Sequence, residues 1–263
     1  MYKYWIIFKN SLQTSFAYRT NFFAMLISEG LSLLIMIYLW LSIYHQGNQI
    51  GSYSFSSLVY YYFVSKLVIL VISSQDFGRE VAVAIRDGNF SAYLTKPVSF
   101  FWQMVSANLA NGIQRLTIFL SLAVLLSVFY LGLPDMTLKT FLVFMLAAIV
   151  GYINYILIYF AIGVTIFFVG YVSGLNFLMF GISSFFSGRL VPLDMLPAQY
   201  SRIADWLPFQ YFVYVPTAIA TGKLSSEQAL AKIFYGSLWA IGLAIFLRFH
   251  YRRGLIKFES YGS

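Results

Sequence analysis

The stretch FFSGRLVPLDMLP, residues 185–197, ends a long apolar run with Gly188, Pro192 and Pro197. It keeps Leu190, Val191, Leu193, Met195 and Leu196 among them. PFQYFVYVP at 208–216 repeats the pattern. Breaks in a water-exposed chain are clusters of polar and turn residues, so a break that stays apolar belongs in another solvent. In lipid, irregular backbone is tolerated only where protein or a water-filled path shields it. The two stretches are therefore expected to be the legs of a re-entrant segment. Arg189, Pro192, Asp194, Pro208 and Pro216 would form its gate, with Arg189 and Asp194 reaching headgroups or each other.

The rest of the chain agrees. Its 263 residues are 60% hydrophobic, 20% aromatic and 10% charged, with a mean hydropathy of +0.76. A soluble domain is about a quarter charged, and a globule of this size still leaves roughly a quarter of its unfolded surface exposed. The reading is an all-α, polytopic membrane protein. Net charge is +8, and the basic residues cluster beside apolar segments, as at an anionic leaflet rather than a nucleic-acid surface. With no cysteine and only His45 and His250, disulfides, thiolate sites and a metal centre are not expected.

A span needs roughly 20 apolar residues. Six segments qualify, at about 22–44, 55–75, 103–131, 139–160, 164–187 and 229–249, with a tight turn expected around Ala161–Gly163 between the fourth and fifth. Residues 1–20 do not read as a cleavable signal, because Lys9, Asn10, Gln13 and Thr14 interrupt the apolar run. Trp5, Phe8, Leu12 and Phe16 recur at helical spacing away from Lys3 and the polar group. That pattern describes an interfacial amphipathic helix, the alternative being a frayed tail. Residues 21–263 then form one transmembrane domain. The bias of Lys and Arg places both termini and the 76–102 loop on the cytoplasmic side.

No Walker-type loop, HExxH, GxSxG or acid pair is present, so catalysis by this chain is not expected. The 76–102 loop mixes charge with apolar residues over two turns, Arg86–Asn89 and Thr95–Pro97. It reads either as a solvated loop with interface anchors or as a docking surface. Glu29, Lys66 and Arg115 fall inside spans, where each costs about 2.5–3.5 kcal/mol at the membrane centre. They serve structural pairing, Glu29 with Lys66 or Arg115, or a substrate path. Asn108, Asn111, Gln114, Asn154 and Asn176 are expected to join helices, and Gly170, Gly174, Gly181 and Gly188 to let helices pack closely.

IRDGNFSAYLTKPVS at 85–99, and FFSGRLVPLDMLP followed by WLPFQYFVYVPTAIATGK, resemble the ABC-2 type transporter permeases, in particular a drug-export-like branch with six spans. The resemblance implies export, with ATP and Mg bound by a separate ATP-binding cassette subunit and a second permease beside this one, a distinct permease being slightly favoured over a second copy. It implies a coupling helix on the ATPase, carried here by Arg79, Glu80, Val83, Arg86, Asp87, Asn89 and Lys96, with Trp5 and Lys9 pressing on the same subunit. It also implies re-entrant helices at Leu190–Met195 and Phe209–Ala220, and a plasma-membrane location. The cargo is not legible. An ATP-independent transporter or channel would need internal repeats, and none is evident. A non-transporting scaffold would read alike.

Overall fold

The computed structural model describes residues 2–17, 19–44, 52–72, 77–87, 90–95, 97–127 and 136–261. The helices are α1 (Tyr2–Ala17), α2 (Arg19–Tyr44), α3 (Phe55–Ile72), α4 (Phe77–Arg86), α5 (Phe90–Leu94), α6 (Phe100–Ser127), α7 (Leu138–Val164), α8 (Ile166–Val169), α9 (Ser173–Phe186), α10 (Ala198–Trp206), α11 (Tyr214–Ala220) and α12 (Ser226–Tyr261). Short 3-10 turns lie at Leu193–Met195 and Pro208–Tyr211. Among the described residues there is no strand. Three helical stretches among these residues, starting at Phe55, Leu138 and Ser226, are long and apolar enough to cross a membrane.

The prolines explain why the apolar breaks are breaks. Pro192 and Pro197 stand just before the 193–195 turn and α10, Pro208 opens the next turn, and Pro216 falls in the first turn of α11. At each place the missing N–H would have had no intrahelical partner. Each proline therefore ends what precedes it and permits a new helical turn.

Packing partners fix the direction of each helix. Ser32 meets Lys66 (3.1 Å) and Tyr44 meets Tyr53 (2.8 Å), so α2 and α3 run antiparallel. Phe101 packs on Phe160 at 4.9 Å between ring centroids and Asn108 meets Tyr152 at 3.3 Å, so α6 opposes α7. Asn154 bonds the Gly236 carbonyl at 2.9 Å and Thr165 meets His250 at 3.1 Å, so α7 and α12 run parallel. The chain between two parallel helices must return, and α9 supplies the return, with Ser183 bonded to Tyr159.

α7 is the spine. Its first half packs Ala147 and Val150 against Tyr211, Val215 and Ile219. Its second half packs Tyr159 to Val164 among Phe77, Val81, Ile85, Phe90 and Phe167. A third cluster joins Trp40 to Tyr53, Leu58, Tyr61 and Tyr62.

Several expectations change. The turn expected at Ala161–Gly163 is not there: α7 runs unbroken to Val164, and the reversal comes at Gly170, whose φ of 64° ends α8. The fifth segment is a helix of 14 residues, about 21 Å long at 1.5 Å per residue. Among the described residues, Gly170, Gly174 and Gly181 have no neighbour within 4 Å of an added Cβ, so they mediate no close packing there. Gly188 does pack closely, as expected, and among the described residues so do Gly78, Gly112, Gly151, Gly163, Gly236 and Gly254. α12 extends well past 249, and α10 lies between the two expected re-entrant helices, where no helix was expected. α1 is helical and runs alongside the first half of α6. Lys3 donates to the Pro97 carbonyl (3.4 Å), Ser99 N–H donates to Tyr4 Oη (3.0 Å), and Ser15 donates to Asn111 (2.7 Å).

Candidate functional site

Two arrangements are strung along α7, one at each end. The first is α4. Phe77, Gly78, Val81, Ala82 and Ile85 are buried, whereas Arg79, Glu80, Val83, Arg86 and Asp87 are exposed. These spacings put all five on one face of the helix. The buried face lies so close to α7 that a Cβ on Gly163 would stand 2.6 Å from Val81 and 2.7 Å from the Gly78 carbonyl. A Cβ on Gly78 would in turn stand 2.9 Å from the Tyr159 carbonyl. Two helices in backbone contact move as one body, because packed interiors deform little.

Beyond α4 the chain is held by Phe90, wholly buried, whose ring meets Phe100, Phe167 and Phe258 edge-on. Arg86 Nε lies 3.1 Å from Asp87 Oδ1, both about half exposed. Such a surface pair contributes at most about 1 kcal/mol, so both charges remain available to a partner. Asn89 and Lys96 lie outside the described residues. At the same end Trp5 is 60% exposed and stacked on Phe8, and Lys9 is exposed.

The second arrangement surrounds the break at 187–194. Gly188 adopts φ 78°, a left-handed turn natural to glycine. The peptide groups released there find side-chain partners. Tyr61 donates to the Gly188 carbonyl (2.8 Å), Tyr62 to the Leu190 carbonyl (2.8 Å), and Tyr53 to Asp194 Oδ1 (3.1 Å). Tyr214 N–H donates to the Ser187 carbonyl at 2.8 Å. Lys223 sits 3.9 Å from the Tyr53 ring centroid and donates to Ser52. Burial first, and the Asp194 carboxylate after it, push the Tyr53 hydroxyl above tyrosine's ordinary value, so it stays a donor. Asp194 thus pairs with Tyr53, and Arg189 lies over the Phe180 ring at 5.3 Å. Pro208 and Pro216 are buried. The tyrosines were missed in the sequence, and their signal was the run Tyr60–Tyr62 inside an apolar helix.

Between the two ends lies a small cavity of about 30 Å³ with a mostly apolar lining, walled by Ile69, Ile72, Tyr155, Phe212 and Val213, with Ser183, Ser184, Ser187 and Arg189 at its polar side. Ser184 Oγ and both polar atoms of Asn176 are buried without a hydrogen-bond partner among the described residues. Asn154 joins α7 to α12 through Gly236, and Gln114 joins α6 to α1 through the Ser15 carbonyl (2.6 Å). Lys66 donates to Ser32 Oγ and Arg115 Nε to the Asn111 carbonyl. Glu29 lies on α2, but its side chain is outside the described residues, as is its pairing.

The composition and the long apolar helices define an integral membrane protein. A family model described as ABC-2 family transporter protein matches residues 30–262. The chain belongs to that family of membrane transport components. No curated protein matches it.

Proposed function

We propose that this chain is the permease subunit of an ATP-driven ABC-2 exporter in a plasma membrane. It crosses the bilayer six times, with α2, α3, α6, α7, α9 and α12. The basic end, where Arg248, Arg252, Arg253 and Lys257 lie on α12, faces the cytoplasm by the positive-inside rule, and both termini lie there. A separate ATP-binding subunit, holding ATP and Mg, docks on α4, with Trp5 and Lys9 of α1 beside it. A second permease, preferably a distinct one, completes the path.

The observation that carries this reading is the exposed stripe Arg79, Glu80, Val83, Arg86 and Asp87 on a helix locked against α7. A face mixing both charges with one aliphatic residue fits a protein groove, and its rigid mounting makes it a lever. Gly163, under α4, and Gly151, under the Tyr211 carbonyl, lie about 18 Å apart along α7 at 1.5 Å per residue. Displacement of α4 by nucleotide-driven closure therefore tilts α7 and shifts the 208–220 segment resting on its other half. That segment shares backbone and tyrosine contacts with the 187–194 break, which opens and closes the exit.

The test is affinity purification of the tagged chain from its own membranes, with ATPase activity read in the eluate. Wild type is expected to retain an ATPase. Arg79→Glu and Arg86→Glu are expected to lose at least tenfold of it, and Lys139→Glu at the opposite end to lose none. Equal ATPase recovery from all variants would sink the docking assignment.

A further inference from the structure

α12 is poorly covered: of its apolar window 17% is buried, against 44% for α7. On its N-terminal half, one part of this face is concave. Here α10 and the 208–211 turn stand beside α12 and line an open pocket of about 740 Å³, within the roughly 300–1,000 Å³ of small-molecule sites. Its α12 wall includes Lys232, Tyr235, Leu238 and Trp239, and its roof Asp205 and Trp206. Gly151, Val150 and Tyr211 place the cavity at the gate end of α7, beyond the reach of α4.

The chemistry of the walls is specific. Lys232 Nζ lies 2.7 Å from Asp205 Oδ1 and 2.8 Å from Gln210 Oε1, and Gln210 Nε2 donates to the Asp205 carbonyl at 2.7 Å. Gln210 is wholly buried. This closed set of bonds fixes one cation and one anion side by side at the mouth, with the Asp205 side chain about half exposed and that of Lys232 a quarter exposed. Below them the lining turns apolar and aromatic. Trp206 is 81% exposed, Tyr235 59% and Trp239 39%, and such rings belong at headgroup level. A purely anionic ligand would meet Asp205 as well as Lys232. A zwitterion meets both with the right sign, and aromatic faces add attraction for an ammonium group.

We infer that this cavity binds one zwitterionic phospholipid. Its phosphate lies toward Lys232, its ammonium toward Asp205 and the indole of Trp206, and its chains run along Tyr235, Leu238 and Trp239. The bound lipid wedges α10 against α12 and so couples the gate to the surrounding leaflet. The inference takes from the proposed function only that the bilayer surrounds α12.

Native mass spectrometry of the purified chain in detergent, titrated with defined lipids, tests it. Phosphatidylethanolamine is expected to be retained at least tenfold better than phosphatidylglycerol or diacylglycerol, and soluble glycerophosphoethanolamine to displace none of it. Lys232→Gln combined with Asp205→Asn is expected to abolish the preference. Trp239→Leu, which keeps an apolar wall, is expected to weaken retention while thermal unfolding confirms that both variants are folded. Equal retention of phosphatidylglycerol, full displacement by the soluble headgroup, or unchanged selectivity in the double variant overturns the inference. So does a double variant that changes the chain's oligomeric state instead of its lipid retention. ATPase co-elution is measured in the same preparation. A wild-type chain that shows no lipid selectivity while it retains the ATPase therefore rejects the lipid site and leaves the permease reading standing.

Discussion

Replacing Gly188 by alanine attacks the break where the chain is least forgiving. At φ 78° an alanine pays about 1–2 kcal/mol for left-handed backbone. Its Cβ would also stand 2.8 Å from Tyr61 Oη and 2.9 Å from Tyr214 Cβ, both inside van der Waals contact. Relieving the first contact displaces the hydroxyl that satisfies the Gly188 carbonyl. Overpacking of this kind costs about 1–3 kcal/mol. Together the two effects amount to roughly 2–5 kcal/mol, a shift of about 30-fold to several thousand-fold in the unfolding equilibrium at tenfold per 1.4 kcal/mol. Unfolding in mixed detergent and SDS micelles, followed by tryptophan fluorescence, measures it. Gly181→Ala is the control. Nothing lies within 4 Å of its added Cβ, and in a helix interior alanine is favoured by about 0.5–1 kcal/mol. If Gly188→Ala unfolds with wild type, or Gly181→Ala is equally damaging, the account of the break is wrong.

Gly163→Ala drives a methyl group against Val81, so α4 must rise by about 1 Å. The expected cost is about 1–3 kcal/mol, together with reduced ATPase co-purification at normal expression. Tyr53→Phe removes the bond to Asp194, and a hydrogen bond to a charged group is worth about 1.5–3 kcal/mol. Because the folded chain raises the Tyr53 ionisation, wild type keeps this advantage below the unfolded tyrosine value of about 10. It loses it as pH rises above that, which unfolding curves from pH 7 to 11 read directly. Asn154→Leu breaks the link to Gly236 and is expected to cost under about 1 kcal/mol in the same assay, the usual worth of an interhelical bond in a membrane protein.

Much of this molecule is legible in composition and punctuation. Apolar length marks the helices from Phe55, Leu138 and Ser226, and proline and glycine mark the breaks at 187–216. The helix that the family resemblance implies around Arg79–Arg86 is observed as an amphipathic helix at Phe77–Arg86. These features depend on local rules: helix period, transfer into lipid, and a residue without an N–H. The Ala161–Gly163 turn fails for an equally physical reason. Glycine there serves contact with α4, not reversal, and sequence does not show which use a glycine has.

What only the tertiary structure decided is partnership. The tyrosines at 53, 61 and 62 are distant in sequence from the carbonyls and carboxylate they satisfy. Lys232 meets Asp205 and Gln210 only because α10 folds back over α12. The sequence by itself determined the solvent around the chain, its long apolar helices and the proline-marked breaks at 187–216, but not the reversal at Gly170 or the helix α10. The fold decided which broken ends meet, because hydrogen bonds in a low-dielectric interior are chosen by proximity in space, and spacing along the chain carries no record of it.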